Sequence, residues 1–238
     1  MELFVIRHGQ SANNLLGDLD DVSKVRKRDK DPPLTDIGER QAGMVAKFLA
    51  AGRHLESAER TADRPYFDHL YCSPMLRSLQ TVKPIAREMG ITPEVWIDIH
   101  EVGGIYLDHG EGQGVLGYPG QTRQQIMDRF PGYILPEEFG EAGWWGRDKE
   151  EVHSSQGRAI GVANTLRDRA REHHRIGAVS HGGFINYLLK AIGFHLPNPG
   201  LRYEHYNTSI TRLDFHPEDV VTIRHTNRVV HLNEDVIT

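Results

Sequence analysis

Cysteine is almost absent from this chain of 238 residues. The single cysteine, Cys72, cannot form an internal disulfide, so cross-links do not hold the fold together. Long apolar runs are absent as well: the longest has the length of a strand, whereas a membrane-spanning helix needs about 20 apolar residues. We therefore expect a single globular domain over residues 1–238 and no membrane partner.

An excess of positive charge is also missing. The formal net charge is −5, whereas proteins that bind nucleic acids in general carry a basic surface. We therefore expect no nucleic-acid partner. No basic leader with an apolar core and a cleavage site precedes residue 3, which favours a cytoplasmic location.

The spacing typical of metal ligands is missing too. Fourteen histidines are scattered through the chain, but none lies in a pattern such as His-Glu-x-x-His. We therefore expect neither a metal ion nor an organic cofactor.

Short apolar segments alternate with helical patterns, which predicts parallel β-α-β units. Strands are expected at residues 3–7, 68–72, 94–99 and 176–180. Near the end of the chain, residues 209–215 and 220–226 flank a His-Pro-Glu-Asp turn. These two segments predict an antiparallel hairpin at one edge of the sheet.

The helical patterns have recognisable starts and breaks. Apolar residues with helical spacing over 42–49 follow Thr35 or Asp36, either of which can serve as N-cap. Further helices are expected over residues 75–89, 152–173 and 183–192. Pro84 is expected to kink or split the first of these, and Ser154 or Ser155 to cap the second.

Two of the predicted strands end in histidine. The apolar run at residues 3–6 stops at Arg7-His8-Gly9, and a second strand pattern at 176–180 is followed by His181-Gly182-Gly183. Open α/β sheets bind ligands in the crevice beyond the carboxyl ends of their strands. We therefore expect His8 and His181 to belong to one site.

Further motifs surround the two histidines. Asn14 follows Arg7 by seven positions, a Leu-Thr-Asp-Ile-Gly-Glu-Arg-Gln-Ala segment occupies residues 34–42, and a Tyr-Cys-Ser-Pro-Met-Leu-Arg segment ends at Arg77. His100-Glu101 ends the third predicted strand. Together these features resemble the histidine phosphatase superfamily, also called phosphoglycerate mutase-like, from residue 1 to about residue 231. The resemblance implies a doubly wound three-layer α/β sandwich whose mostly parallel sheet has an antiparallel edge.

The resemblance gives the two histidines roles that suit their chemistry. A neutral imidazole can attack phosphorus and form a covalent phosphoenzyme, which water then hydrolyses. We assign His8 as this nucleophile and His181 as a neighbour that stabilises the phosphoryl oxygens.

Several groups near the histidines are suited to binding phosphate. Arg7 and Arg77 carry guanidinium groups that match phosphate oxygens, and Arg77 also lies in the first turn of a predicted helix. Asn14 is a further candidate donor, although a turn-forming asparagine is an alternative. The backbone N–H of Gly182 is expected to contribute, and Gly9 is expected to let the chain pass close to the ligand.

A leaving alcohol needs a proton. The family places its acidic proton donor after the third strand, so we assign Glu101 as the general acid, which then activates water in the second step. Asp98, Asp108 and Glu111 remain alternatives for this role.

A glycine-rich stretch over residues 102–151 interrupts the β-α rhythm and predicts a cap over the site, with a short helix at 122–130. Trp144 and Trp145 belong either to the core of this cap or to a wall against an organic leaving group. Arg147 is a candidate for holding a second anion. A basic cluster forms either a solvated loop or an attractor for anions; its members are Lys24, Arg26, Lys27, Arg28 and Lys30.

The expected function is metal-independent hydrolysis of a small phosphomonoester, of the histidine acid phosphatase type, with inorganic phosphate as product. The alternative is a cofactor-dependent phosphoglycerate mutase, but the Tyr-Gly-x-Leu-x-Gly-Leu-Asn-Lys stretch of those enzymes has no counterpart here. A third possibility is a non-catalytic module that binds phospholigands. A homodimer is the default expectation for the assembly, because two-fold dimers are the commonest oligomers.

Overall fold

A six-stranded mixed sheet forms the centre of the computed structural model, which describes residues 1–16, 27–60, 66–110, 112, 114–171 and 175–238. The strands of this sheet are β1 (Glu2–Arg7), β2 (His69–Cys72), β3 (Pro93–Val95), β6 (Arg175–Ser180), β7 (Ile210–Phe215) and β8 (Val221–Arg228). Their order is β3-β2-β6-β1-β7-β8. The first four in this order are parallel, and β7 and β8 run antiparallel at one edge.

Helices cover both faces of the sheet. The helices, in chain order, are α1 (Ala12–Leu15), α2 (Asp36–Ala50), α3 (Leu76–Met89), α4 (Arg123–Arg129), α5 (Val152–Arg169) and α6 (Gly182–Ile192). On one face, α2 and α3 pack on Phe4 and Ile6, whereas α5 and α6 pack on Leu3 and Val5 from the other. Because successive residues of a strand point to opposite faces, β1 is buried on both sides. The predicted doubly wound three-layer sandwich with an antiparallel edge is confirmed.

The third predicted strand is shorter than expected. Residues 94–99 were expected to form one strand, but β3 ends at Val95 and a 3₁₀ turn, Ile97–Ile99, follows it. The turn places His100 and Glu101 beyond the sheet on a separate segment. Elsewhere the predicted strands agree with the structure within one or two residues, including the antiparallel hairpin of β7 and β8.

Pro84 was expected to kink or split its helix, and the expected split is wrong. Helix α3 runs without a break from Leu76 to Met89 and ends at Gly90, which has a positive φ of 65°. A proline inside a helix costs about 3 kcal/mol. Leu79, Val82 and Ile85 are completely buried in the core on this face, and the burial of such side chains offsets that cost.

The start of α5 also differs from the prediction. Its N-cap is Glu151 rather than Ser154 or Ser155, and the Ser155 hydroxyl instead donates to the buried carboxylate of Glu150 at 2.7 Å. The helix ends at Arg169, whereas His173, the predicted end, lies outside the described residues. The N-cap of α2 is Thr35, whose hydroxyl accepts the N–H of Gly38, as expected.

The stretch at residues 102–151 contains a small antiparallel sheet, β4 (Tyr106–Asp108) and β5 (Val115–Gly117), followed by α4. Trp144 and Trp145 are buried in the hydrophobic core and pack against His100, which favours the core interpretation of both tryptophans. Arg147 is exposed and stacks on Trp145 at 4.3 Å from the ring centroid.

In the described ranges, we find no helix with the length and apolar character needed to cross a membrane.

One buried histidine makes stability depend on pH. His54 packs against Phe4, Phe67 and Tyr66, and burial, followed by nearby Arg175, lowers its pKa from about 6.5 to about 3. The unfolded chain therefore binds a proton that the folded chain does not. Stability is retained above pH 6.5 and falls as the pH drops towards 3, by about 1.4 kcal/mol per pH unit.

We expect His54→Phe to make the free energy of unfolding depend less steeply on pH between pH 6 and pH 4. The slope should fall by about 1.4 kcal/mol per pH unit, which corresponds to one proton. Urea unfolding at several pH values measures this slope. His153→Phe, at an exposed position, serves as the control and should leave it unchanged. An identical slope for wild type and His54→Phe would contradict the account.

Candidate active site

The two strand-end histidines lie side by side. Arg7 of β1 pairs with Ser180 of the neighbouring parallel strand β6, so the next residues, His8 and His181, leave the sheet together. Their ring centroids are 5.0 Å apart. His8 is 3% exposed and His181 is completely buried. The polar end of two apolar strands is thus enclosed within the fold.

The hydrogen bonds of His8 define which ring nitrogen carries the proton. Nδ1 lies 2.6 Å from the carbonyl oxygen of Gly9, which can only accept, so Nδ1 donates. Burial, and then the charges of Arg77 and Arg7, lower the pKa of His8 well below its usual value, so the ring is neutral. The lone pair is therefore on Nε2, which accepts a hydrogen bond from Arg77 Nε at 3.1 Å.

A serine forms a hydrogen bond with the His181 ring. Its Nε2 lies 2.7 Å from Ser73 Oγ, at the end of β2, and Ser73 Oγ also accepts the backbone N–H of Met75. Burial, and then Arg77 and His8, lower the pKa of His181 well below its usual value. Nδ1 is buried and has no hydrogen-bond partner among the described residues. His181 lies next to His8, but it is not among the residues that line the catalytic cavity, which is described below.

Two arginines bring positive charge to His8. Arg7 donates through Nη1 to the carbonyl oxygen of His205, and Arg77 is 8% exposed and lies 3.9 Å from Asp31. Burial lowers the pKa of both guanidiniums, and the charge of Glu101 opposes that shift. Arginine remains protonated in proteins, so both groups stay cationic.

Asp31 is a buried acid that the sequence analysis did not single out. Its Oδ1 accepts the backbone N–H of Leu76 at 3.0 Å, at the start of α3, and faces Arg77. Burial raises the pKa of Asp31 to about 6, against the opposing effect of Arg77. The carboxyl group fixes the first turn of α3, and with it the position of the Arg77 side chain.

Glu101 is bound to the beginning of α6. Its Oε1 accepts the N–H groups of Val102 at 2.8 Å and Phe184 at 2.9 Å, and Oε2 accepts that of Gly183 at 3.2 Å. The carboxylate therefore caps the helix that follows His181. This contact joins the segment after β3 to the His181 segment, and it places Glu101 on the wall of the catalytic cavity.

Glycines near the site allow close approach between segments. A Cβ atom on Gly183 would lie 2.6 Å from Glu101 Oε1, and one on Gly182 would lie 3.4 Å from Arg7 Nε. That Gly9 makes room for ligand stays a prediction; the close approach that the structure shows is to Gly38, whose carbonyl oxygen a Cβ on Gly9 would meet at 2.6 Å. Gly9 thus lets the beginning of α2 pack against the His8 turn.

The Gly183 contact leads to a prediction. On the expectation that Glu101 is the general acid, Gly183→Ala should push its carboxylate away from α6 and reduce kcat on alkyl phosphates by about 10-fold or more, because proton transfer depends on the position of the acid. Steady-state kinetics test this. Gly161→Ala in α5, where a Cβ meets open space, is the control and should leave kcat unchanged. Equal kcat for Gly183→Ala and wild type would contradict the positioning role.

Asn14 lies at the site with its amide oxygen already engaged. Oδ1 accepts the backbone N–H and the hydroxyl of Ser11, each at 3.0 Å. These contacts agree with the alternative prediction, in which Asn14 stabilises a turn. Asn14 also lines the catalytic cavity. Asn207 donates from Nδ2 to the carbonyl oxygen of His8 at 2.9 Å and joins β7 to the same turn.

A cavity of about 930 Å³, the catalytic cavity, opens onto these residues. The sequence-predicted residues that line it are Arg7, His8, Asn14, Arg77, Glu101 and Gly182. Of the alternative acids, Asp108 also lines it, Asp98 does not, and Glu111 lies outside the described residues. Arg147 does not line it either, which leaves the expected second-anion role without support.

The basic cluster divides into three parts. Arg28 and Lys30 line the catalytic cavity, Lys27 is exposed away from it, and Lys24 and Arg26 lie outside the described residues. Among the residues that the structure describes, no group of three or more His, Cys, Asp and Glu side chains is placed to hold a metal ion.

Comparison with known proteins assigns the chain to a family. The model of the histidine phosphatase superfamily (branch 1) matches residues 3–228. The chain belongs to this superfamily. The resemblance that the motifs indicated is therefore confirmed.

Individual relatives include both mutases and phosphatases. The probable phosphoglycerate mutase GpmB of Yersinia enterocolitica is 24% identical over 215 residues, 90% of this chain and 85% of that protein. A phosphoserine phosphatase of Entamoeba histolytica, solved with phosphoserine, has a TM-score of 0.59 at 20% identity and covers 98% of this chain and 99% of its own. A mycobacterial glucosyl-3-phosphoglycerate phosphatase has the same TM-score at 20% identity, covering 96% and 99%. At these identities the solved structures show a shared fold.

Proposed function

We propose that this protein hydrolyses small phosphate monoesters through a phosphohistidine intermediate on His8, without a metal ion. The observation that carries the proposal is the state of the His8 ring. Its Nδ1 donates to Gly9, and its Nε2 holds a lone pair beside Arg77 Nε at 3.1 Å. A nucleophilic nitrogen next to a buried guanidinium is suited to attack on a bound phosphoryl group.

In the first step, His8 Nε2 forms a bond to phosphorus while the bond from phosphorus to the alcohol oxygen breaks. Arg7 and Arg77 hold the phosphoryl oxygens and offset their charge. Protonated Glu101 gives its proton to the leaving alcohol. Oε2 is suited to carry that proton, because it accepts one hydrogen bond, at 3.2 Å, whereas Oε1 accepts two shorter ones.

In the second step, water attacks phosphorus and the N–P bond breaks. The Glu101 carboxylate now takes a proton from that water, which restores the acid for the next cycle. Inorganic phosphate leaves, and His8 returns to its neutral form with the proton still on Nδ1.

His181, Asn14 and Gly182 support this chemistry from the side. Gly182 and Asn14 face the catalytic cavity and donate to the phosphoryl oxygens from a backbone N–H and a side-chain amide. His181, which Ser73 holds through Nε2, packs against the His8 ring with 5.0 Å between the ring centroids and so helps to position the nucleophile.

The segment at 102–151 acts as a cap and selects the leaving group. Its residues on the cavity wall include Gly104, Tyr106, Asp108 and Lys149. Tyrosines outside the cap also line the cavity, so an organic leaving group that has a ring or several hydroxyls finds aromatic and polar contacts there.

The direct test is a phosphate-release screen over a panel of phosphorylated metabolites and p-nitrophenyl phosphate, with His8→Ala as control. A mutase is the alternative, because the Yersinia relative is a probable phosphoglycerate mutase. A mutase would convert 3-phosphoglycerate to 2-phosphoglycerate after priming with the bisphosphate. Phosphate release without that conversion supports the hydrolase, and the converse supports the mutase.

Removal of metals should not affect activity. The positive charge at His8 comes from Arg7 and Arg77, and we expect dialysis against EDTA to leave kcat/KM for p-nitrophenyl phosphate within about twofold of the untreated enzyme. Assay of the dialysed enzyme with and without added Mg²⁺ checks this. A loss that Mg²⁺ or Zn²⁺ restores would contradict the proposed mechanism.

A further inference from the structure

A second cavity is lined mainly by arginine. It has a volume of about 500 Å³ and lies between the loop after α2, from Arg53 to Arg60, and strands β7 and β8. Five of the ten lining residues that the structure describes are arginines, and we call it the arginine pocket: Arg53, Arg60, Arg212, Arg224 and Arg228.

The arginine pocket is separate from the catalytic cavity. Within the ranges that the structure describes, the two share no lining residue. Arg212 pairs with Phe4 in the middle of β1, whereas His8 lies beyond the carboxyl end of that strand. A ligand in the arginine pocket would therefore leave the catalytic cavity open.

Part of the positive charge in the pocket is already neutralised. Arg212 binds Glu59 through two hydrogen bonds of 2.8 and 2.6 Å and also binds Asp214. Arg224 donates from Nε to the same Asp214 at 2.6 Å. These contacts fix two of the guanidiniums on the sheet face.

The remaining charge is not neutralised. Within the described residues, the guanidiniums of Arg53 and Arg228 form neither a hydrogen bond nor an ion pair, and Arg60 binds only the carbonyl oxygen of Leu55. Among the described residues that line the pocket, Glu56 is the one acid. Cations brought together in this way repel one another unless an anion lies between them.

A histidine lines the same wall. Nε2 of His225 is buried and lacks a hydrogen-bond partner in the part of the chain that the structure describes. Burial, and then Arg228 and Arg212, lower the pKa of His225 to about 4, so the ring is neutral near pH 7. The positive charge of the pocket therefore comes from its arginines.

We propose that the arginine pocket is a second ligand site, which binds a small molecule carrying two or more phosphate groups. Guanidinium groups match phosphate oxygens in pairs, and several of them in one pocket favour several phosphates. The volume is in the range of small-molecule sites. Because the whole chain has a net charge of −5, this concentration of arginine is a local feature and not part of a generally basic surface.

Titration calorimetry with inorganic pyrophosphate tests the proposal. The measurements use an Arg77→Gln background, which weakens phosphate binding in the catalytic cavity. We expect this protein to bind one equivalent of pyrophosphate. Adding Arg53→Gln and Arg228→Gln should weaken that binding at least 10-fold. The matched control adds Arg40→Gln and Arg87→Gln, which remove two exposed arginines elsewhere, and should keep the affinity.

Further measurements separate this site from folding and from catalysis. In the otherwise wild-type chain, Arg53→Gln with Arg228→Gln should leave the far-ultraviolet circular dichroism and the hydrolysis of p-nitrophenyl phosphate unchanged. Should that pair unfold the chain, Arg53→Lys with Arg228→Lys keeps the charge but removes the paired donors, and it should weaken pyrophosphate binding about 10-fold. No binding in the Arg77→Gln background, or equal losses in the pocket and control variants, would overturn the proposal.

Discussion

His8→Ala should reduce kcat for p-nitrophenyl phosphate on the order of 10⁴-fold or more, because it removes the atom that forms the bond to phosphorus. The other groups at the site are two guanidiniums, an imidazole with no surface on the catalytic cavity and a carboxylate bound to a helix. None of these is placed to replace the His8 nucleophile. Steady-state phosphate release measures the effect.

The control for this variant must show that the phosphate-binding groups keep their positions. His8→Ala should still bind vanadate, because Arg7 and Arg77 remain, and the exposed His153→Ala should keep full activity. Vanadate binding is measured by its effect on the unfolding temperature. Activity of His8→Ala within about 10-fold of wild type would rule out the covalent mechanism.

Glu101→Gln should produce a loss that depends on the leaving group. An alkyl alcohol needs a proton as it leaves, so we expect a reduction in kcat on the order of 10²- to 10⁴-fold for alkyl phosphates. The p-nitrophenolate ion leaves without a proton, so the first step with its ester, measured as the burst of p-nitrophenol, should slow less than about 10-fold. Glutamine can keep the hydrogen bonds from Val102 and Phe184, because its amide oxygen still accepts.

Asp108 provides the matched comparison, since it is the alternative acid that lines the same cavity. Asp108→Asn should affect alkyl and p-nitrophenyl phosphates to the same extent. If Asp108→Asn, and not Glu101→Gln, slows alkyl phosphates much more than p-nitrophenyl phosphate, the proton donor is Asp108. If neither variant shows it, the acid–base step as proposed is wrong.

Local patterns were sufficient to predict the meeting of His8 and His181. Each histidine directly follows an apolar strand, and the carboxyl ends of parallel strands meet at one edge of a sheet. The actual neighbours β1 and β6 are separated by most of the chain, but they pair in register. The sequence also narrowed the N-cap of α2 to Thr35 or Asp36, of which the structure shows Thr35, because a cap depends on a few adjacent residues.

Contacts between distant segments were not predictable in this way. Ser73 binds His181, and Asp31 faces Arg77, although no spacing in the sequence connects either pair. Gly9 was assigned to the ligand because it follows His8, whereas its partner is Gly38. Gly183 follows His181 by two positions, but the partner of its close contact, Glu101, emerges only from the fold.

Pro84 shows how packing overrides local preference. A single proline predicts a break from its own geometry, but α3 is held on one side by a core to which Leu79, Val82 and Ile85 contribute. The third strand is shorter than predicted for a different reason. Its apolar pattern continues past the end of the strand into a 3₁₀ turn, and this turn brings Glu101 towards α6.

The covalent intermediate is the central claim, and trapping it is the most direct test. Glu101→Gln enzyme mixed with ³²P-labelled p-nitrophenyl phosphate and quenched within one turnover should carry label that is stable to base and labile to acid. Peptide mapping should place that label on the segment containing His8. Label on another residue, or no label while phosphate is released in a burst, would contradict the account.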